Sequence, residues 1–423
     1  MNVALVTLAH YFHLQINLSQ WVITLYLLIA AVVLIPTGRI ADLTSRRDIY
    51  LVGVACFFMG SLVAAMAGNI WILLLGRALQ GLGYGMTMAL ITILATLYFP
   101  DEEKGRALGV LAILSCFGLA VGPTLGGAIA QFWSWRIIFW MNLPICFLSI
   151  AIVLSVCPRE KISPAGVINI LDWPVIKDLF SSRAYFILVI NRFLCLAAYG
   201  MILLMVPLYL QNLKNFLPLK TGCVMLGMTL FVIIGSTGFT HWLNKVGYRV
   251  FHLSACALFF IAYLLLIIAF AGQGLLFLIL GLMCAGLATG LYFIGSIRGA
   301  LKELPSVHQG LGMGIFYASA LLGGAICVSI ASHILYLNAC FGVRAWALQY
   351  PIFTVLSQAK LSVVASGMQS FYQQNWGLLD IPVVHLHLML MGLFQRGLII
   401  IAVFGAGLTF LATLLAWSLY RDH

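Results

Sequence analysis

Eleven stretches of about 20 residues or more, almost free of charge, run along this chain from one end to the other. No other feature restricts its fold so tightly. They fall near 20–40, 49–68, 70–98, 105–131, 135–157, 184–210, 220–243, 250–271, 274–298, 309–337 and 395–419, after a shorter apolar stub at 1–13. An apolar run of about 20 residues, coiled as a helix, matches the hydrocarbon thickness of a bilayer. The repetition dominates the composition: 63% of residues are hydrophobic, 8% are charged, and the mean hydropathy is +1.09, far outside the range of soluble domains. The chain is read as an all-α polytopic membrane protein, with twelve spans if the stub is the end of a first helix.

The net charge of +11 invites a nucleic-acid reading, but the basic residues are spread between the apolar runs instead of gathered on a face. Enrichment of Lys and Arg in cytoplasmic loops explains that pattern, and no nucleic-acid partner is expected. The ten cysteines stand singly, mostly within apolar runs, with no CxxC and no His/Cys cluster. They read as small packing residues; no disulfide framework, metal site or cofactor is expected. No catalytic triad is visible, so the chain is not read as an enzyme.

The loops divide sharply by charge. One alternating set holds Arg39, Arg46, Arg47, Lys104, Arg106, Arg159, Lys161, Lys177, Arg183, Lys245, Arg249, Arg298, Lys302 and Arg421. The other holds only Arg136, Lys214, Lys220, Arg344, Lys360 and Arg396. The bias places the first set and the C-terminus in the cytoplasm. Segment 158–183 is the longest charged, turn-rich stretch, and reads as a cytoplasmic linker between a bundle at 1–157 and a second at 184–423. Segment 338–394 faces outward; it is too polar to span and amphipathic enough to lie at the interface, as a lid or as a partly ordered loop.

Four polar or small-residue patterns carry functional information. "GRIADLTSRRDIY", residues 38–50, is read as a short cytoplasmic turn with Gly38, Asp42, Arg46 and Arg47, whose arginines can reach Asp101, Glu102 or Glu103; an ordinary positively charged loop is the plain alternative. Residues 238–249, "GFTHWLNKVGYR", echo it faintly in the second half. Gly118, Gly122 and Gly126 recur every four residues along one helix stripe that admits a neighbouring backbone, with Pro123 bending the helix and Gly127 following. In "LLLGRALQGLGYG", Arg77 and Gln80 lie one turn apart inside an apolar run, where a cation disfavours insertion by about 2.5–3.5 kcal/mol. Arg192 is also inside a run, at the start of the seventh span, and is expected to face the linker side.

Together these stretches resemble the major facilitator superfamily, and within it the drug:proton antiporters of the EmrB/QacA branch, from residue 2 to about 330. The 38–50 turn resembles the family's signature loop, which implies a cytoplasmic latch made by Gly38, Asp42, Arg46 and Arg47; Ser45 and Leu43 depart from the pattern. The string Gly118-x-x-x-Gly122-Pro123-x-x-Gly126-Gly127, followed by "SWRIIFWMNLPI", resembles the antiporter motif of the fifth helix. Arg77, Gln80, Gly81 and Gly83 match a fourth-helix motif in which the arginine takes part in proton transfer. "VPLYLQ" resembles a seventh-helix segment that would place Gln211 in the outer vestibule, and Gly81, Gly83 and Gln211 are candidate cavity residues. "NVAL", residues 2–5, resembles the second half of the first-helix motif, which implies that the chain starts inside its first helix, with that motif's acidic residue lying ahead of Met1.

The resemblance implies a facilitator fold of two six-helix halves with a truncated first helix. It implies export of lipophilic or cationic small molecules in exchange for protons, by alternating access in a bacterial inner membrane, with a periplasmic adaptor as a candidate partner. The branch usually has fourteen helices, whereas 158–183 is too short and charged for an extra pair. The eleven acidic residues all fall in loops or at membrane edges, so no mid-membrane carboxylate faces Arg77. A facilitator for one metabolite or siderophore, and an inactive truncated transporter, stay open as alternatives.

Overall fold

The computed structural model describes residues 5–12, 16–97, 114, 118, 121–157, 173–238, 247–304, 309–349 and 383–421. Among them every regular element is helical. Helices α1 (Leu5–Tyr11) and α2 (Ile16–Ser19) lead into α3 (Trp21–Leu43), α4 (Arg46–Ala65) and α5 (Ile70–Leu97). Then come α6 (121–132), α7 (Ile137–Trp140) and α8 (Asn142–Val156). After α9 (Trp173–Ser181) the second set runs α10 (Arg183–Leu208), α11 (Pro218–Ile233), α12 (Tyr248–Ile268), α13 (Leu275–Glu303), α14 (Gln309–Gln349) and α15 (Val383–Arg421). Nine of the described helical segments are long and apolar enough to cross a membrane. At 28 residues, α5 extends about 42 Å and has the length as well.

The turns differ from the sequence reading in instructive ways. The 38–50 stretch is mostly helix: α3 runs through Gly38 and Asp42 to Leu43, and only Thr44 and Ser45 separate it from α4, which Arg46 and Arg47 open. Both connecting residues act as caps. The Thr44 hydroxyl donates to the Ile40 carbonyl (2.8 Å), and Ser45 Oγ accepts from the Asp48 amide (3.3 Å), occupying backbone groups that a helix end leaves open. The outward connection expected at 338–394 is shortened from both sides, since α14 reaches Gln349 and α15 starts at Val383; residues 350–382 lie outside the described residues. The 158–183 stretch ends in helix α9, while 158–172 is outside the described residues. Between α12 and α13 the chain turns on Gly272 (φ +100°) and Gly274 (φ +101°), left-handed positions that favour glycine.

The second set of helices holds the largest core. Its central member is α10, buried on nearly every face by α14 and α15, while α12 packs on α13 and α15, and α11 on α13. In the first set α5 lies between α3 and α4, and α4 also meets α8. Among the described residues, two seams join the sets. Along one, α3 packs on α14 through Ala31, Leu34 and Ala318, with the hydroxyls of Thr24 and Ser329 3.3 Å apart. Along the other, α6 meets α11: Thr124 Oγ1 donates to the Gly222 carbonyl (3.2 Å), and the Leu219 amide donates to Gln131 Oε1 (3.1 Å). Small residues stand in both seams, Ala31 and Ala318 in the first and Gly127 and Gly222 in the second.

Candidate functional site

Arg77 lies within α5 and is only 8% exposed. Its Nε donates to the Val22 carbonyl of α3 (2.6 Å) and its Nη1 donates to Gln80 Oε1 (2.7 Å), one turn along the same helix. The guanidinium carbon sits 4.2 Å from the centre of the Tyr26 ring. Fully buried Gln80 turns its own amide on α4, where Nε2 donates to Ser61 Oγ (2.7 Å), and Asn142 Nδ2 of α8 reaches the same oxygen at 3.4 Å. One cation therefore ties α3, α4, α5 and α8 into a single polar line. Its acceptors are neutral. Of the described carboxylates, Asp48 sits in the first turn of α4, Asp178 in α9 and Glu303 at the last residue of α13.

Close helix approach makes this line possible. A Cβ built on Gly60 would stand 2.5 Å from the Gln80 amide nitrogen and 2.7 Å from the Gly76 carbonyl oxygen. Gly53 and Gly60 of α4, seven apart, face Gly83 and Gly76 of α5, also seven apart. A separate stripe on α5 serves α3: a Cβ built on Gly81 would stand 2.7 Å from the Tyr26 carbonyl oxygen, and one on Gly85 2.7 Å from that of Ala30. Gly81 and Gly83, expected on the wall of a cavity, are thus seats for two neighbouring backbones. The signal was present in the glycine spacing but needed the identity of the partner helices to be read.

The antiporter string is arranged differently from its expected stripe. Gly118 and Gly122 are exposed, and no atom of the described residues lies within 4 Å of a Cβ built on either. Gly126 is buried. The contact to α11 falls one residue along, on Pro123 and Gly127: the Pro123 carbonyl lies 2.6 Å from a Cβ built on Gly222, and Gly127 abuts the Pro218 carbonyl. The seam is dictated by Gly222, which leaves room only where Pro123 approaches.

Of the latch residues, Gly38 is buried within α3 and Asp42 occupies its last turn. Arg46 and Arg47 begin α4, and Arg47 Nη2 lies 3.5 Å from the Leu154 carbonyl near the end of α8. The expected partners Asp101, Glu102 and Glu103 lie outside the described residues. Gln211 is buried in a wide turn, Tyr209–Leu213, beside a cavity of about 310 Å³ that Tyr209, Leu213, Lys214 and Gln395 help to line.

Arg192 overturns its expected position at the linker side. It is 2% exposed and deep in the second bundle, where Nη1 donates to Ser296 Oγ (3.0 Å). Four aromatic rings surround its guanidinium carbon, those of Tyr292 (5.6 Å), Phe293 (4.9 Å), Phe316 (4.8 Å) and Tyr317 (5.6 Å). Its Nε has no hydrogen-bond partner among the described residues. A second polar centre adjoins it. His252, entirely buried, places Nε2 2.9 Å from Asn191 Oδ1 and Nδ1 2.8 Å from the Tyr420 hydroxyl. Sequence reading passed over this group. The signal it could have used is polar residues interrupting apolar runs, in "INRF" and "VFHLS".

Comparison with known proteins fits this architecture. The Multidrug resistance protein Stp of Mycobacterium tuberculosis is 28% identical over 79% of this chain and 72% of its own length. The riboflavin transporter RibZ of Clostridioides difficile is 25% identical over 81% of the chain and 86% of its own. Among solved structures, an inward-facing, unoccupied bacterial homologue of the human lysosomal transporter Spinster superposes with a TM-score of 0.71 over 99% of this chain and 93% of that one, at 14% identity. The human organic anion transporter MFSD10 gives 0.62 over 95% and 83%, at 16% identity. A family model, Major Facilitator Superfamily, matches residues 1–328. With that match spanning most of the sequence and the helical architecture in agreement, the chain belongs to the major facilitator superfamily.

Proposed function

We propose that this protein is a proton-coupled exporter of lipophilic or cationic small molecules in a bacterial inner membrane, its C-terminus cytoplasmic. The carrying observation is the likeness to Stp across 79% of the chain, set beside a buried cation at Arg77 that knits four helices of the first bundle. Residues 1–157 rock against 184–423 along the α3–α14 and α6–α11 seams. Ala31 and Ala318 on the first seam, and Gly127 and Gly222 on the second, let the paired helices approach closely. Arg46 and Arg47, which open α4, are the proposed basic half of a cytoplasmic latch. The likeness to RibZ favours one second reading, a carrier dedicated to a single metabolite with an aromatic ring system.

Ethidium uptake into inverted vesicles driven by an imposed proton gradient tests the first reading. The wild-type chain accelerates movement of several unrelated dyes, and Arg77→Ala abolishes the acceleration while the protein still reaches the membrane. Unaltered uptake in Arg77→Ala removes that residue from the mechanism. Transport of riboflavin alone, with no dye moved, transfers the assignment to the second reading.

A further inference from the structure

The polar centre around His252 has a property that the Arg77 line lacks: it can change charge without losing a hydrogen bond. Asn191 Nδ2 donates to the Ala412 carbonyl of α15 at 2.7 Å, which fixes the amide orientation and leaves Oδ1 facing His252. An amide oxygen only accepts, so His252 Nε2 carries a hydrogen. In the neutral ring Nδ1 then accepts from the Tyr420 hydroxyl. If Nδ1 takes up a proton, it becomes a donor, and the hydroxyl turns to accept from it. The two states differ by one proton on nitrogen and one rotated hydroxyl.

Among the described residues the hydrogen-bond partners of the imidazole are Asn191 and Tyr420, and neither is a carboxylate. From α10, Cys195 lies 3.5 Å from the Asn191 oxygen; from α12 itself, Cys256 lies 3.6 Å from it and Arg249 stands over the Tyr420 ring at 5.7 Å. From α13, the Tyr292 ring meets the imidazole with centroids 5.3 Å apart, and from α15 comes Tyr420. Tyr292 is shared: its ring also meets the Arg192 guanidinium. A proton on His252 therefore places a second cation against a ring already occupied by one, and the faces of one ring cannot satisfy both as well as either alone. Arg192 is caged on its far side by Phe316 and Tyr317 of α14, and Tyr317 packs in the Ala31, Leu34 and Ala318 cluster of the α3–α14 seam. The chain of contacts from the imidazole ends at the surface along which the bundles are proposed to slide.

We propose that His252, held between Asn191 and Tyr420, is a proton-binding site of this transporter, and that Arg192 relays its charge state through Tyr292 to the α3–α14 seam. This rests on the proton-coupled reading above, but it locates a coupling proton in the second bundle and on an imidazole instead of a carboxylate. The step is simple in its balance: one proton from water bonds to Nδ1, the ring gains one positive charge, and that proton leaves by the same nitrogen in the other half of the cycle.

The test compares ethidium transport by the full chain in proteoliposomes with and without a pH gradient, and takes the ratio of the two rates as its readout. His252→Gln can donate to Asn191 and accept from Tyr420 but holds no extra proton. A gradient is expected to raise the wild-type rate several-fold and to leave the H252Q ratio at one; an H252Q ratio equal to that of wild type overturns the proposal. If H252Q moves no dye at all, or if wild type moves none and the exporter reading itself fails, ¹⁵N-imidazole NMR of the solubilised protein decides the site. One of the nine histidine signals must then titrate over a scan of about pH 5 to 9 and shift its midpoint downward in Tyr420→Phe, which lacks the oxygen that accepts from the charged ring. A buried imidazole that never titrates, or a midpoint indifferent to Tyr420→Phe, sinks it.

Discussion

The Arg77–Gln80 bond offers a quantitative test of how this protein tolerates a cation in its interior. Both side chains are buried, and Nη1 meets Oε1 at 2.7 Å, the length of a charge-assisted hydrogen bond. Consider Arg77→Met and Gln80→Met singly and together. Methionine roughly conserves volume at either site, so lost contacts and not cavities dominate. Arg77→Met removes the donor to Gln80 Oε1 and to the Val22 carbonyl; Gln80→Met leaves Nη1 without its acceptor and Ser61 Oγ with only the longer bond from Asn142 Nδ2. Each orphaned buried group costs about 1–3 kcal/mol, and more when charged, so either single change is expected to lower stability by roughly 2–5 kcal/mol. The double change removes both ends of the shared bond together. Its cost should fall short of the sum of the singles by about 1.5–3 kcal/mol, the worth of a hydrogen bond to a charged group. Equilibrium unfolding of the detergent-solubilised protein by denaturant, followed through tryptophan fluorescence, measures all four corners of the cycle. Additivity within about 0.5 kcal/mol would refute the reasoning, since it would mean that Gln80 does not hold the guanidinium.

Two other outcomes follow from the packing. Gly60→Ala forces a methyl group to 2.5 Å from the Gln80 amide nitrogen and should cost at least about 1–3 kcal/mol, whereas Gly122→Ala, with no described atom within 4 Å, should leave thermal stability unchanged; equal losses in a thermal-shift assay would contradict the α4–α5 approach. Replacing Thr24 and Ser329, whose hydroxyls are 3.3 Å apart, by cysteine should permit a disulfide across the α3–α14 seam, stopping dye efflux on mild oxidation and restoring it on reduction; full efflux from the cross-linked protein would show that this seam does not move.

Membership of the fold class was legible because burial in lipid imposes a length on each helix, and apolar length is a one-dimensional property. The spans read near 184–210 and 274–298 reappear as Arg183–Leu208 and Leu275–Glu303. The motifs around Arg77 and Pro123 were legible as patterns too. Where the patterns misled, the cause was a partner that no local string names. Gly118 and Gly122 share a helix face with Gly126, yet the neighbour that arrives is α11, and its Gly222 selects Pro123 and Gly127. Arg192 looks like a residue near a helix start, yet the rings from α13 and α14 that enclose it come from positions a hundred or more residues away.

By itself, then, the order of apolar and charged residues determined that the chain crosses a membrane repeatedly, where most crossings lie and which family it resembles, because transfer into lipid depends on composition summed over a window. Only the tertiary structure decided which polar atoms meet: that Arg77 rests on a carbonyl and an amide, that Gly81 and Gly83 seat helices, and that His252 lies between Asn191 and Tyr420. Hydrogen bonds act over about 3 Å, and the groups they join here stand 61 and 168 residues apart, a relation that only the packed helices can fix.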